Sequence, residues 1–357
     1  MRYKRIVASI FCLLLANVCF AAKLPTVNLL TWWNYMDTPH LQQYVQQKCH
    51  VKLSFDEYYS NTEFLHRWHT GQRDYDLAIF SNNMYHLVKN EIGLPESPLS
   101  QQVQQYNPYV RAAYQSGHYP PNVVYFDLTM TGFIWNDQVV QLNNTDDIFT
   151  IFKKAGNNLV VMMDDPIQAR IIMSLGLSQA KHGTNYAGEH ISDLAPLTVD
   201  DFNRLIQKTN VFVANNYTRF FTDKKFAFAY TWASASFNTA TESSHYHLLI
   251  HPEMSYVATD MLANLDNRPA TLCVARALTE PKAARMIQAY SHYISPYVDG
   301  ESSNDKHFKA YYALFKHALP NVIFLNEPYS YKQYDRLQRT WELIRFEAND
   351  NVKITKN

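Results

Sequence analysis

Glycine is scarce in this chain: nine in 357 residues, against an average usage of roughly 7%. A nucleotide-binding fold built on glycine-rich turns is therefore not expected, and neither a GxGxxG nor a Walker-type loop occurs. HExxH and GxSxG are missing as well, so the common zinc-protease and serine-hydrolase signatures give no lead. Charge of one sign is lacking too, with 32 basic and 32 acidic side chains. Without a basic excess or stripe, a nucleic-acid partner is not expected. Cysteine is limited to four residues with no CxxC pair, which argues against thiol redox chemistry.

One apolar run stands out, and it lies at the start. Arg2, Lys4 and Arg5 precede Ile6 to Ala16, and small residues follow at Ala21 and Ala22, the three-part layout of a cleaved secretory leader over residues 1–21. The run is too short to span a bilayer. Cleavage leaves 29 basic against 32 acidic residues, a mildly acidic protein. Cys12 and Cys19 go with the leader, with lipidation at Cys19 a minor alternative, since Asn17 and Val18 are not the small residues such a site prefers. Cys49 and Cys273 remain, as a disulfide or as two buried thiols.

Aromatics are abundant, at 14% with 25 tyrosines, and most are expected in packing. Periodicity alternates between strand and helix. "VNLLTW" reads as a buried strand, and Thr38 with Pro39 as the start of a helix carrying Leu41, Tyr44, Val45 and Cys49 on one face. Val51, Leu53 and Phe55 alternate as a second strand. Ser60 and Glu63 form a capping box before a second helix, and residues 75–80 read as a third strand. The same alternation returns at "NNLVVMMDD" followed by Pro166, at Thr198 with Asp201, at "KFAFAYTWASA", and at Thr279 with Pro281. This order predicts an α/β fold on a parallel sheet, and the length predicts two domains.

Ligands of such sheets sit beyond the carboxyl ends of the strands. Here those ends are Trp32 to Tyr35, Ser81 to Asn83, Asp164 to Gln168, and Trp232 to Ser236. Trp32 and Trp33 are adjacent and point to opposite sides, so one is expected in the cleft and Trp33 in packing. His245, His247 and His251 in "HYHLLIH" invite a metal reading; surface histidines are the simpler expectation.

In order and spacing, these strand ends resemble the polyamine-binding members of the periplasmic solute-binding proteins, which feed spermidine or putrescine to an ABC transporter. That family's first strand ends in Asn-Trp-x-Glu-Tyr, and this one in Thr31-Trp32-Trp33-Asn34-Tyr35. Its Tyr-Asp-Leu strand, followed by Pro-Ser, is matched by Tyr75, Asp76, Leu77, Phe80 and Ser81. Asp164, Asp165 and Gln168 stand for its Asp-Asp with a glutamate three residues on, while Trp232 matches a later tryptophan and Asp260 in "YVATDML" a crossover aspartate. The resemblance covers most of the chain after the leader.

It implies a two-lobed fold with a ligand cleft, residues 22–133 and 260–305 in the N-lobe and 134–259 and 306–357 in the C-lobe. It also implies a monomeric periplasmic receptor, neither enzyme nor cofactor protein, whose partners are a polyamine and an inner-membrane ABC permease. Trp32, Tyr35 and Trp232 would pack the methylenes, Asp165 and Asp260 would pair the amines, and Ser81 would hydrogen-bond. Asn34 and Gln168 stand where the family has glutamates, and Ala258 where it has a ring. Two fewer charges point to a shorter diamine or to a less charged amine-bearing or amide-bearing ligand, unless Asp127 turns inward as a further carboxylate. A secreted enzyme or metal protein using the cleft, and a receptor that binds a protein instead of a solute, are the competing classes.

Overall fold

The computed structural model describes residues 24–70, 75–93, 99–182, 197–206, 209–215, 218–234, 243–324 and 329–350. The expected leader lies outside them. Strand β1 (Thr26–Trp32) is an apolar run buried on both sides, as a central parallel strand must be. It pairs in parallel with β2 (Lys52–Tyr58) and with β3 (Leu77–Ser81), setting Leu29 between Phe55 and Leu77. Between them run α1 (Thr38–Cys49) and α2 (Asn61–His69).

The start of α1 is shifted by one residue from expectation. Asp37, not Thr38, is its N-cap, accepting from the His40 amide, and Pro39 falls in the first turn. At α2 the capping box is present: the Glu63 amide donates to Ser60 Oγ at 3.1 Å. Glu63 Oε2 in turn accepts from the amide of Tyr59 at 2.7 Å. Cys49 and Cys273 form a disulfide with Cα atoms 5.8 Å apart, tying the end of α1 to α8 (Pro269–Leu278). Thr279 closes α8 and does not open the next helix, α9 (Pro281–Ser291), whose N-cap is Glu280.

The sheet is mixed, not all parallel. Beside β3 comes β9 (Tyr256–Asn264), antiparallel, and beside β9 comes β4 (Val123–Asn136), also antiparallel. The fourteen residues of β4, all buried, serve two halves of the molecule. Its first part pairs with β9; its last part pairs with β7 (Phe226–Trp232) and β8 (Tyr246–Leu249). Beyond β7 lie β5 (Leu159–Met162) and then β6 (Asn210–Val213), each parallel to its neighbour. A short strand, β10 (Ile323–Phe324), runs parallel to the start of β9.

Two lobes result, one on β1, β2, β3 and β9, the other on β5, β6, β7 and β8, with β4 crossing between them. In the second lobe, α6 (Pro166–His182) follows β5, and α7 (Val199–Ile206) opens with the expected Thr198–Asp201 cap. The last helix, α11 (Tyr331–Asp350), packs on β6, where Asn349 accepts from the Val213 amide at 2.7 Å. Among the described residues no helix is long and apolar enough to cross a membrane.

Candidate functional site

The carboxyl ends of β1 and β3 meet the middle of β9. Ser81 stands opposite Asp260 on one side of β9, and Asp127 of β4 stands opposite it on the other. Tyr35, from the turn after β1, reaches both acids. Its hydroxyl lies 2.8 Å from Asp260 Oδ2 and in closer contact with Asp127 Oδ2. Ser81 Oγ donates to the other oxygen of Asp260 at 3.2 Å.

Two aspartates are thus packed side by side on adjacent strands. Asp127 is buried, while Asp260 keeps an edge to solvent. Among the described residues neither has a lysine, arginine or histidine against it. Burial, and then the charge of Asp260, push the Asp127 carboxyl well above the usual carboxylate range. Burial also pushes Asp260 up, to about 6, against the opposing bonds from Tyr35 and Ser81. The indole Nε1 of Trp32, which favours the charged form of Asp260, is buried without a hydrogen bond of good geometry. The Trp32 ring rests on Tyr58 at 4.4 Å, and the Tyr35 ring meets Tyr293 at 5.3 Å.

A second polar group gathers where the lobes meet. Asp165 caps α6, accepting at Oδ1 from the amides of Ile167 at 2.9 Å and Gln168 at 3.0 Å. Its other oxygen accepts from Asn61 Nδ2 at 3.2 Å, so a residue at the start of α2 in the first lobe bonds one at the start of α6 in the second. Burial raises the carboxyl of Asp165. Asp164 faces away, held by Trp341 Nε1 at 2.8 Å and Arg345 Nη1 at 3.0 Å from α11. The Trp232 ring lies 6.2 Å from that of Tyr256, and Tyr256 feels the charge of Asp165.

Tyr256 and Asp260 share one face of β9 and are four residues apart, roughly 13 Å at ~3.3 Å per residue. The two polar groups therefore mark the ends of one strip, with Ala258 between them. Several buried polar atoms in these groups have no partner among the described residues: Gln168 Oε1, Asn61 Oδ1 and the Tyr256 hydroxyl. An unsatisfied buried polar group costs about 1–3 kcal/mol. Atoms left in this state around a lobe junction suit a ligand that would satisfy them.

Of the residues singled out in the sequence, Trp32, Tyr35, Ser81 and Asp260 stand together with Asp127, and Asp165, Gln168 and Trp232 lie around the second group. Asn34 stands apart. With a positive φ of 52° it is exposed at the rim, where its Oδ1 accepts from the Tyr290 hydroxyl of α9 at 2.5 Å. Trp33 is not packed in the core as expected: it is 54% exposed and stacks on Tyr59 at 5.3 Å. Sequence reasoning missed Asn61 and Tyr256; the only local signal was that Asn61 follows a capping serine at a strand end.

The histidine stretch divides. His245 and His247 are exposed and share Asp137, with His247 Nε2 2.9 Å from Asp137 Oδ2. His251 is buried, its Nδ1 accepting from the Glu253 amide and its Nε2 donating to the Asp146 carbonyl. Among the described residues no three histidine, cysteine or acidic side chains are placed to hold a metal ion.

No protein-family model matches this chain, and no curated protein matches it by sequence. Solved structures match in fold. The chain is similar to the spermidine/putrescine ABC transporter substrate-binding protein PotD of Streptococcus pneumoniae, at 18% identity and a TM-score of 0.69, over 90% of this chain and 99% of that one. It is similar to the TpPotD lipoprotein of Treponema pallidum at 20% identity and a TM-score of 0.67, over the same shares. The binding protein MotA of A. tumefaciens, in complex with glucopine, matches at 12% identity and a TM-score of 0.63, again over 90% and 99%. The fold is thus the two-lobed α/β fold of periplasmic solute-binding proteins, a fold that serves unlike ligands.

Proposed function

We propose that this chain is a periplasmic solute-binding receptor for a short polyamine of the putrescine or spermidine kind, acting as a monomer that hands its ligand to an inner-membrane ABC permease. The observation that carries this reading is the Asp127–Asp260 pair, joined by Tyr35 and, among the described residues, without a protein cation. Burying charge without a counter-charge is costly, and an ammonium group entering at the open edge of Asp260 would offset that cost. Trp32 and Trp232, both half-buried, offer aromatic surface for methylenes and for cation-π attraction, about 0.5–2 kcal/mol per contact. The expected leader and the Cys49–Cys273 disulfide agree with an oxidising compartment outside the cytoplasm. In this reading the lobes comprise residues 22–133 with 260–305 and 134–259 with 306–357, and they close over the ligand.

A second reading rests on Gln168. Its buried, unpartnered Oε1 is a neutral acceptor, and Asp165 already serves three donors. That end of the strip suits an uncharged N–H group, so a ligand with one ammonium and one amine or amide end also fits. Thermal shift of the purified protein against putrescine, spermidine, spermine, γ-aminobutyrate, sugars and divalent metals tests both. Ligand at 100 times its dissociation constant adds about 2.7 kcal/mol. Stabilisation by diamines supports the first reading and by a monoamine alone the second. A response to zinc alone would overturn both.

A further inference from the structure

The Tyr35 hydroxyl has one hydrogen, yet two carboxylate oxygens lie within its reach, Asp127 Oδ2 and Asp260 Oδ2. A phenol donates once and can also accept. Either that hydrogen is shared between two anionic oxygens or one of the acids donates to the phenol oxygen; two like charges side by side in a buried site favour the second, with one of the two carboxyls carrying a proton. Surroundings decide which. Asp127 is buried, whereas Asp260 has an open edge and a second donor in Ser81. The order is then Asp127 donating to Tyr35, and Tyr35 donating to Asp260.

We propose that the site takes an ammonium group by exchange, the proton held on Asp127 leaving for solvent as the cation docks against Asp260, so that Asp127 is a latent second carboxylate of the binding site. The proposal rests on the amine-receptor reading above. Atoms and charge balance: the ligand keeps its ammonium, one proton passes out through Tyr35 and the open edge of Asp260, and the acid pair goes from one negative charge to two.

The groups around the pair leave this role to a ligand. Tyr35 comes from the turn after β1, Ser81 from β3, Tyr58 from β2 and Tyr293 from the segment after α9; Tyr311, on α10 (Lys306–Ala318), faces Asp127. Burial raises the pKa of Tyr35, Tyr58 and Tyr311, and these three stay neutral at pH 7. Of the causes that hold Asp127 in its acid form, the negative charge of Asp260 is the one a docked cation cancels. Independently, the fully buried Tyr256 hydroxyl on the same face of β9 has no partner among the described residues.

Calorimetry of the whole protein with putrescine, in buffers of different ionisation heat, reads the exchange. Near pH 7 about one proton should be released per putrescine, and affinity should rise with pH by up to about tenfold per unit. Asp127→Asn, which imitates the protonated acid, should bind without releasing a proton and show no such slope. In the absence of ligand, the infrared difference between wild type and Asp127→Asn at pH 7 should contain the stretch of one protonated carboxyl. Putrescine binding with no proton released by the wild type overturns the proposal, as does an infrared difference lacking that band. No heat with putrescine or spermidine rejects the receptor reading and the exchange with it, while the infrared band separately decides whether Asp127 holds the proton. The wild-type proton count needs no variant, so poor folding of Asp127→Asn leaves the test in place.

Discussion

Asp127 and Asp260 face each other across β4 and β9 because one extra residue, Phe126, bulges out of the ladder. From Val123 to Tyr125 the pairing is regular, and continued unchanged it would set Phe126 opposite Asp260. After the bulge every β4 residue is displaced by one, and the two acids meet. Like charges directly opposite on a sheet are destabilising. Tyr35, in contact with both, makes the pair tolerable by sharing a proton.

That arrangement fixes how stability should respond to base. Both acids have a folded pKa above the unfolded value, so the unfolded chain ionises first. Their contribution is fully present below about pH 4 and is lost as pH rises toward 6 and beyond. Between pH 5 and pH 8 the melting temperature of the ligand-free wild type should fall by at least ~2 °C more than that of Asp127→Asn. Scanning calorimetry of the two proteins checks this, and parallel curves would count against the shared proton.

His251 should dominate on the acid side. Burial lowers its pKa to about 4, so it folds as a neutral ring that donates from Nε2 and accepts at Nδ1. Here the folded value lies below the unfolded one, and stability present above pH 6.5 is lost as pH falls toward 4. The loss is about 3 kcal/mol. Urea denaturation at pH 7 and pH 4.5 should show a smaller difference in His251→Gln than in wild type.

The bond between Cys49 and Cys273 closes a loop across 224 positions of sequence. Its reduction, or replacement of both residues by serine, should lower unfolding free energy by about 2–5 kcal/mol. Both cysteines lie on helices α1 and α8 and neither is among the groups that bond Asp260, so putrescine affinity at 25 °C should change less than about twofold, well below 1.4 kcal/mol. Denaturation and calorimetry of the double serine variant separate the two effects.

Asn61 bonds Asp165 between the lobes without taking part in the α6 cap. Asn61→Ala should therefore leave the cap intact and weaken ligand binding by about 1 kcal/mol, near fivefold. Asp165→Ala should lose the cap as well and lower stability by a further ~1 kcal/mol. Equal stability of the two variants would contradict this division of labour.

Local order was readable where residues act on their neighbours. The apolar run of β1, the Ser60–Glu63 box and the strand ends at Trp32, Ser81 and Asp164 follow from such short-range signals. Partner direction is not local, which is why β9 and β4 came out antiparallel in a sheet expected to be parallel. Nor could the bulge be read, because β4 is buried throughout, its polar Asp127, Thr129 and Thr131 included, so no exposed face marks the register. Asp127 was visible only as a carboxylate whose direction was open. Asn34 and Trp33 turn outward because the chain takes a positive φ at Asn34, a choice that the neighbouring aromatics do not announce.

Isothermal titration of putrescine into the wild type and into Asp260→Asn tests the central claim most directly. The account predicts one site per chain in the wild type and a loss of roughly 100-fold or more in the variant, since removing one partner of a buried charge pair costs about 3–5 kcal/mol. Equal affinity in the two proteins, or no heat from the wild type at millimolar putrescine, would contradict it.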